Sequence, residues 1–144
     1  GNNAVIAKAL ALKDAKGFFF CGGVPLGLRG RLPQELSAKD LKERLDVLLS
    51  SESCVYNDGR MIRSVGIVSG DAAEAVAECG ELGVDCLITG EMKHAAYHPA
   101  CEGGVCVIAA GHYRTEVVGV QSVLAQTQAD LGIECRFIDV PTGL

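Results

Sequence analysis

The sequence contains no tryptophan, and only 5% of its residues are aromatic. Ala, Val, Leu and Gly dominate instead, a mixture that is typical of α/β proteins whose strands are covered on both faces. With 144 residues, 49% of them hydrophobic, the chain is long enough for one buried core. We expect no signal peptide, and no apolar run approaches the roughly 20 residues of a membrane span. We therefore expect an α/β protein of the cytoplasm.

Basic clusters are missing as well. The 13 lysines and arginines are scattered along the sequence and are outnumbered by 18 acidic residues, for a net charge of −5. This distribution does not resemble the electrostatic footprint of a protein that binds nucleic acid or an anionic membrane. We expect neither as a partner.

The seven cysteines include no Cys-x-x-Cys pair. Most of them, such as Cys86 and Cys106, lie in apolar runs that are typical of reduced, core-packed thiols, which favours a reducing cytosol. An alternative interpretation is an unrelated α/β protein with Cys86 or Cys106 as its nucleophile. No local histidine or helix N-terminus is clearly placed to lower the pKa of either thiol.

Hydrophobic periodicity predicts helices, strands and loops in the first half of the chain. A helix is expected at residues 4–12 and a short strand at 17–21. A glycine-rich loop should follow at 22–30 and a second helix at 37–49. Ser37 and Asp40 resemble a capping box at the start of the second helix. Asp58-Gly59, between apolar runs at 54–56 and 61–68, predicts a β-hairpin.

Strands and helices then alternate to the end of the chain. Strands are predicted at 65–68, 86–89, 105–110 and 134–140, and helices at 72–82, 92–101 and 115–131. This succession predicts a layered α/β/α fold with a mostly parallel or mixed sheet and right-handed crossovers. Ligands of such sheets bind beyond the carboxyl ends of the strands, where the loops 69–71, 89–91 and 110–112 should converge.

The most informative residues are His112 and Glu116, which follow a predicted buried strand. A helix would present this imidazole and this carboxylate on one face, where they could share a metal ion or a proton. The alternative is a histidine at a helix start with a solvated carboxylate one turn away. Two ligands cannot complete a zinc site, which needs three or four from the protein.

Glu91, His94 and His98 also share one face of a predicted helix. Ala95 after His94 departs from the His-Glu-x-x-His metalloprotease motif, and Pro99 disfavours helical geometry at His98. We therefore favour a substrate-contacting or proton-shuttling role for His98 over metal ligation.

The segment Ser69-Gly70-Asp71 precedes a predicted helix, so its backbone amides could hold an anion. The segment matches neither the P-loop nor the dinucleotide fingerprint. The favoured interpretation is that Asp71 is the N-cap of this helix, with Glu74 three residues on.

Several segments together resemble the second part of the Nif-three-like family, whose members are also described as GTP cyclohydrolase I type II homologues. These are Gly1-Asn2-Asn3, the stretches 10–12, 30–32, 65–70 and 88–91, and above all AGHYRTE at 110–116. The resemblance implies a two-part α/β fold, with residues 1–60 as the remnant of a first half and residues 61–144 as the second half that carries the site.

The resemblance also implies a ring-shaped homohexamer and two divalent metal ions held by five protein ligands. Two of these ligands map onto His112 and Glu116, while Glu91 and His98 could position substrate or relay protons. A His-His-Pro motif and an aspartate would supply the other three from upstream of Gly1. Because the chain lacks an initiator methionine, we expect a fragment whose missing N-terminal half carries them.

Two functions are consistent with this interpretation. The first is a metal-dependent hydrolase that acts on a nucleotide-like substrate, with its metal site incomplete in this chain. The second is a non-catalytic interaction or regulatory module that keeps the fold and oligomerises without the metals.

Overall fold

A single six-stranded sheet organises residues 1–143, which are the residues that the computed structural model describes. The helices are α1 (Asn2–Ala9), α2 (Ala38–Leu49), α3 (Ala75–Glu81), α4 (His94–Glu102) and α5 (His112–Leu131). The strands are β1 (Lys13–Cys21), β2 (Val24–Leu36), β3 (Cys54–Tyr56), β4 (Ile62–Val68), β5 (Cys86–Thr89) and β6 (Cys106–Ala109).

The sheet is mixed, with the order β1-β2-β4-β5-β6-β3. Strands β4, β5 and β6 run parallel, and β1, β2 and β3 add antiparallel pairings at its two ends. The predicted layered α/β fold with a mixed sheet is therefore confirmed. Strands from both sides of residue 60 pair in this sheet, and the division into two halves at that residue stays a prediction.

Two apolar clusters cover the two faces of the sheet. On one face, Ile6 of α1 and Leu41 and Leu45 of α2 pack with Ile67 and Ile88. On the other face, the cluster contains residues of α3 and α4 together with Leu87 and Val107. Successive residues of β5 point to opposite faces and both are fully buried, which is why these strands appear in the sequence as continuous apolar runs.

The predicted loop at 22–30 is wrong, because most of it belongs to β2. Gly22 and Gly23 both have positive φ, +57° and +82°, and they connect Cys21 to its register partner Val24. Two glycines in this conformation form the tight turn whose twist suits a β-hairpin. The hairpin β1–β2 thus begins where the sequence was interpreted as irregular.

The hairpin predicted at Asp58-Gly59 is also wrong. Strand β3 pairs with β6, while β4 pairs with β2 and β5. Asn57, at a φ of +55°, donates hydrogen bonds from Nδ2 to the carbonyl oxygens of Ala100 and Val105, both at 2.9 Å. These long-range bonds hold the chain beside β6 and away from a local turn.

The helix starts differ from prediction in part. Ser37 caps α2 as expected, since its Oγ accepts a hydrogen bond from the Asp40 amide at 3.0 Å. Asp71 is not the cap of α3, because that helix begins at Ala75 after Glu74. Asp71 instead forms an ion pair of 2.8 Å with Lys93.

The strand predicted at 134–140 is wrong as well, because residues 132–143 form no regular element. This segment returns to the start of α5, where the Tyr113 hydroxyl donates to Asp139 at 2.7 Å and accepts from the Val140 amide at 3.0 Å. These side-chain contacts replace a strand pairing. No helix of residues 1–143 has the length and apolar content to cross a membrane.

Asp85 connects the start of β5 to β4 through hydrogen bonds. Its Oδ2 accepts hydrogen bonds from the amides of Arg63 and Ser64 and from the Ser64 hydroxyl, at 3.0, 2.8 and 2.8 Å. Burial alone would raise the pKa of this carboxyl, but the bonds from Ser64 and Arg63 outweigh burial and lower the pKa below its usual value. The ionised form of Asp85 therefore stabilises the fold.

Replacing Asp85 with asparagine should lower the free energy of unfolding at pH 7 by about 1–3 kcal/mol, because the amide donors would lose a charged acceptor. A depressed folded-state pKa contributes stability that is present above the unfolded-state pKa and is lost as the pH falls through the folded-state pKa. The difference between wild type and D85N should therefore shrink below about pH 4. Urea unfolding at pH 7 and below about pH 4 measures this stability difference. D130N is the control, because it changes an exposed aspartate. A difference that does not change with pH would contradict this role.

Candidate metal site at the carboxyl edge of the sheet

Three loops meet where the parallel strands end, as predicted. The loop after β4 contacts the loop after β5, because the Gly90 amide donates to the Gly70 carbonyl oxygen at 2.9 Å. The loop after β5 contacts the loop after β6 in turn, because the Gly111 amide donates to the Gly90 carbonyl oxygen at 3.0 Å. The backbone thus forms a continuous platform beneath the first turn of α5.

His112 and Glu116 lie on this platform, one helical turn apart. The His112 Nε2 faces the Glu116 Oε2 at 3.4 Å, and both side chains are partly exposed. On the opposite side of the ring, His112 Nδ1 forms a short hydrogen bond with the Glu91 carboxylate. The structure therefore brings together Glu91, His112 and Glu116, three of the four predicted site residues.

The electrostatic environment of His112 is acidic. The hydrogen bond with Glu91 raises the pKa of the imidazole above its usual value, burial opposes this, and the charges of Glu116 and Asp71 add to the increase. The positive charge of Lys93 is already engaged by Asp71 and Glu74, both at 2.8 Å. The site thus favours a positive charge close to His112 Nε2.

Two glycines allow the loops after β4 and β5 to lie close to His112 and Glu116. A Cβ on Gly70, which has a φ of +72°, would lie 2.5 Å from Glu116 Oε1 and 3.2 Å from His112 Nε2. A Cβ on Gly90 would lie 2.7 Å from both the Gly70 carbonyl oxygen and the His112 Cα. Any larger residue would displace the backbone or the two side chains.

Asn3 and Thr115 hold the loop after β4, and sequence reasoning gave neither of them a role. Asn3 Oδ1 accepts a hydrogen bond from the Ser69 amide at 2.9 Å, and Thr115 Oγ1 accepts one from the Gly70 amide at 3.0 Å. Two of the three backbone amides of this loop are thus unavailable to an anion, which counts against the anion-binding interpretation. The Gly1-Asn2-Asn3 segment of the family resemblance was the signal that could have identified Asn3.

Two further histidines stand apart from this cluster. Within residues 1–143, neither His94 nor His98 shares a hydrogen bond or ion pair with Glu91, His112 or Glu116. The His98 ring packs edge-on against Tyr97, with 5.7 Å between centroids. Its role in substrate contact or proton transfer stays a prediction.

The donor set fits part of a metal site. His112 Nε2 and the Glu116 carboxylate are nitrogen and oxygen donors of the kind that bind zinc, iron or manganese. Glu91 occupies the other ring nitrogen, and no three His, Cys, Asp or Glu side chains of the described chain could hold one ion together. Water or ligands from outside residues 1–143 would have to supply the other positions of a coordination sphere.

Cysteine chemistry is not supported at this site. Cys86 and Cys106 are neighbours in the register of β5 and β6, and both are buried. Burial raises the pKa of the Cys86 thiol, which opposes formation of a nucleophilic thiolate. A hydrogen bond with Cys86 lowers the pKa of the Cys106 thiol, but the burial of both thiols counts against either residue as a nucleophile.

The fold and the site define a class of α/β protein with a histidine–carboxylate pair at the carboxyl edge of a mixed sheet. The family model of Duf34/NIF3 (NGG1p interacting factor 3) matches residues 1–143. The chain therefore belongs to the Duf34/NIF3 family, which confirms the resemblance found in its sequence.

Relatives from other organisms match the whole chain. A GTP cyclohydrolase 1 type 2 homolog of Deinococcus radiodurans is 43% identical over 100% of this chain and 55% of its own length. A protein of the same name from Treponema pallidum is 51% identical, and 62% of its length is covered. The crystal structure of TTHA1606 from Thermus thermophilus matches 100% of this chain and 56% of its own with a TM-score of 0.82 and 34% identity. The chain spans little more than half the length of these relatives.

Proposed function

We propose that this chain is the part of a metal-dependent hydrolase that carries His112 and Glu116, and that the enzyme acts on a nucleotide-like substrate. The observation that supports this most strongly is the pairing of His112 Nε2 with the Glu116 carboxylate at 3.4 Å, above three converging loops. The remaining ligands of two divalent ions would come from the portion of the relatives that this chain does not span.

The residues of this chain have distinct tasks in such a site. The lone pair of His112 Nε2 and the Glu116 carboxylate would hold the ion. Glu91 would accept a hydrogen bond from Nδ1–H, which keeps the proton on Nδ1 and leaves the Nε2 lone pair free to bind, an arrangement typical of metal-bound histidines. A divalent ion supplies Lewis acidity and lowers the pKa of water towards neutrality.

An open depression beside Glu91 could accommodate part of a small-molecule substrate. It has a volume of about 310 Å³, and its lining includes Tyr56 and Met92, which is within the size range of ligand pockets. The aromatic ring and the thioether could pack against a planar base. The relatives' name, GTP cyclohydrolase 1 type 2 homolog, is consistent with a nucleotide.

Replacing Glu91 with glutamine should weaken divalent-metal binding by about 10- to 100-fold, the range for partners that orient a ligand histidine. The amide could still accept a hydrogen bond from Nδ1, but it removes the charge that stabilises this tautomer. A competition titration with a chromophoric chelator measures the affinity. E102Q, at the end of α4, is the matched control, and an E91Q affinity equal to that of the control would contradict the orienting role.

Nucleotide turnover tests the proposed activity. A protein that also contains the portion supplying the remaining ligands should convert GTP or another nucleoside triphosphate with a rate that is abolished by a chelator and restored by added Mn²⁺ or Zn²⁺, as measured by chromatography of the products. Turnover that is insensitive to the chelator, or absent when the metal sites are filled, would contradict a metal-dependent hydrolase.

The second candidate is an oligomeric interaction module without metals. The outer half of α5 favours it, because Val120, Val123 and Leu131 are all more than half exposed. Apolar side chains on a protruding helix are suited to contact with another protein surface. A metal-free protein that assembles into larger particles in light scattering, with no turnover, would favour this candidate, and a homohexamer remains a proposal under either function.

A further inference from the structure

We propose that the hairpin β1–β2 carries a second ligand site, which binds the phosphate group of a small molecule. The site consists of Lys16, Arg29 and Arg31, which are scattered in the sequence and brought together by the pairing of the two strands. It does not depend on the proposed hydrolase function, because it uses none of the residues around His112.

The register of the hairpin places like charges opposite each other. Lys16 faces Arg29 across the two strands, and Lys13 faces Arg31. Directly opposed side chains of an antiparallel pair lie on the same face, and like charges at such positions are destabilising. The register is irregular between the two pairs, and Lys13, Lys16 and Arg31 are exposed while Arg29 is partly buried, so a bound anion would offset repulsion chiefly around Arg29.

The charges of these side chains are not compensated within the chain. Lys16, Arg29 and Arg31 take part in none of the ion pairs of residues 1–143. Arg29 Nε is buried and has no hydrogen-bond partner. A buried donor of this kind is costly unless a ligand or a water molecule satisfies it.

A cavity of about 410 Å³ adjoins the three cations, and its lining also includes Asp14, Ser64 and Val84. This volume suits a small molecule. Three cations against one carboxylate leave a formal charge of +2 on this lining, which matches a phosphate dianion. Arginine forks and a lysine ammonium are the side chains that bind phosphate most strongly.

The cavity lies far from the candidate metal site. Arg29 and Arg31 pair with Gly66 and Ser64 in the first part of β4, whereas the loop near His112 begins at Ser69. Gly66 and Ser64 precede Ser69 by three and five residues of extended chain, which places roughly 10–17 Å between these positions. The ligand is therefore a second molecule, separate from any substrate at His112.

Calorimetric titration with inorganic pyrophosphate, in buffer free of phosphate and sulfate, tests this inference. Wild type should bind the anion, and the double variant K16Q/R29Q should bind it at least about tenfold more weakly, because it lacks two charge-assisted contacts. The matched control is K8Q/K39Q, which removes the same charge from α1 and α2. No binding by wild type, or equal losses in both double variants, would overturn the proposal.

The unliganded protein offers an independent readout. If repulsion between Lys16 and Arg29 is uncompensated, K16Q alone should raise the unfolding temperature by about 1–4 °C, with circular dichroism confirming the native fold. A lowered or unchanged unfolding temperature would contradict the repulsion. Tighter binding of a short single-stranded oligonucleotide than of pyrophosphate would overturn the small-molecule ligand in favour of nucleic acid.

Discussion

Replacing His112 with alanine is expected to reduce the affinity for divalent metal by more than about 100-fold, the upper end of the range for residues that only orient a ligand. The same loss is expected for E116Q, because a neutral amide is a much poorer donor to a cation than a carboxylate. His112 and Glu116 are the two side chains that face each other above the three loops. Titration with Co²⁺, followed by visible absorbance, measures both affinities and the coordination geometry.

Matched controls for these two variants are available nearby. His94 is exposed at the start of α4, and Glu102 lies at the end of the same helix. H94A and E102Q remove the same chemical groups, and they should leave the Co²⁺ titration unchanged. If H94A lowers the affinity as much as H112A does, the ion binds elsewhere and the assignment of the pair is wrong.

Replacing Gly90 with alanine is expected to disrupt the site and the fold together. The added methyl group would lie 2.7 Å from the Gly70 carbonyl oxygen and from the His112 Cα, and backbone atoms cannot move aside as a flexible side chain can. Overpacking of this kind costs about 1–3 kcal/mol or more. We expect a loss of this size in the free energy of urea unfolding, together with weaker Co²⁺ binding.

The control for this substitution is Gly80 in α3. A Cβ there would meet its nearest atom, the Gly103 Cα, at 3.4 Å, and alanine is favoured over glycine in a helix by up to about 1 kcal/mol. G80A should therefore match or exceed wild-type stability. A G90A variant as stable as G80A, with unchanged metal binding, would show that the loops do not pack as closely as described.

The parallel core of the fold could be predicted from sequence, because its strands are buried on both faces. Runs such as 86–89 are apolar apart from Thr89 and are bounded by glycine and acidic residues, so their type and limits are apparent. The position of the candidate site followed from the same pattern, because the loops after parallel strands meet at one edge. The pattern alone was therefore sufficient to indicate His112 and Glu116.

The antiparallel parts of the sheet depend on contacts that local patterns do not contain. Residues 24–36 include glycines and prolines and alternate poorly, so β2 is defined by its pairing with β1 and β4. Asp58-Gly59 is a local hairpin signal, but the bonds of Asn57 to Ala100 and Val105 outweigh it. The cationic pairs of the hairpin were hidden for the same reason, because they exist only in this register.

The roles of Asn3 and Thr115 were also inaccessible from sequence. Asn3 is 66 residues from the Ser69 amide that it binds, and Thr115 is buried although it follows the site histidine by only three positions. Both lie in segments of the family resemblance, 1–3 and 110–116, but those segments alone do not indicate which backbone amide each side chain binds. A polar side chain that hydrogen-bonds to a distant loop can be recognised only when the positions of both partners are known.

Anomalous diffraction from crystals soaked in Mn²⁺ or Zn²⁺ would locate the bound ion itself. We expect an anomalous peak at a bonding distance of about 2.0–2.2 Å from both His112 Nε2 and a Glu116 carboxylate oxygen, with Glu91 still bound to Nδ1. A peak at another position, such as the exposed thiol of Cys54, with none beside His112, would show that this pair does not hold the metal.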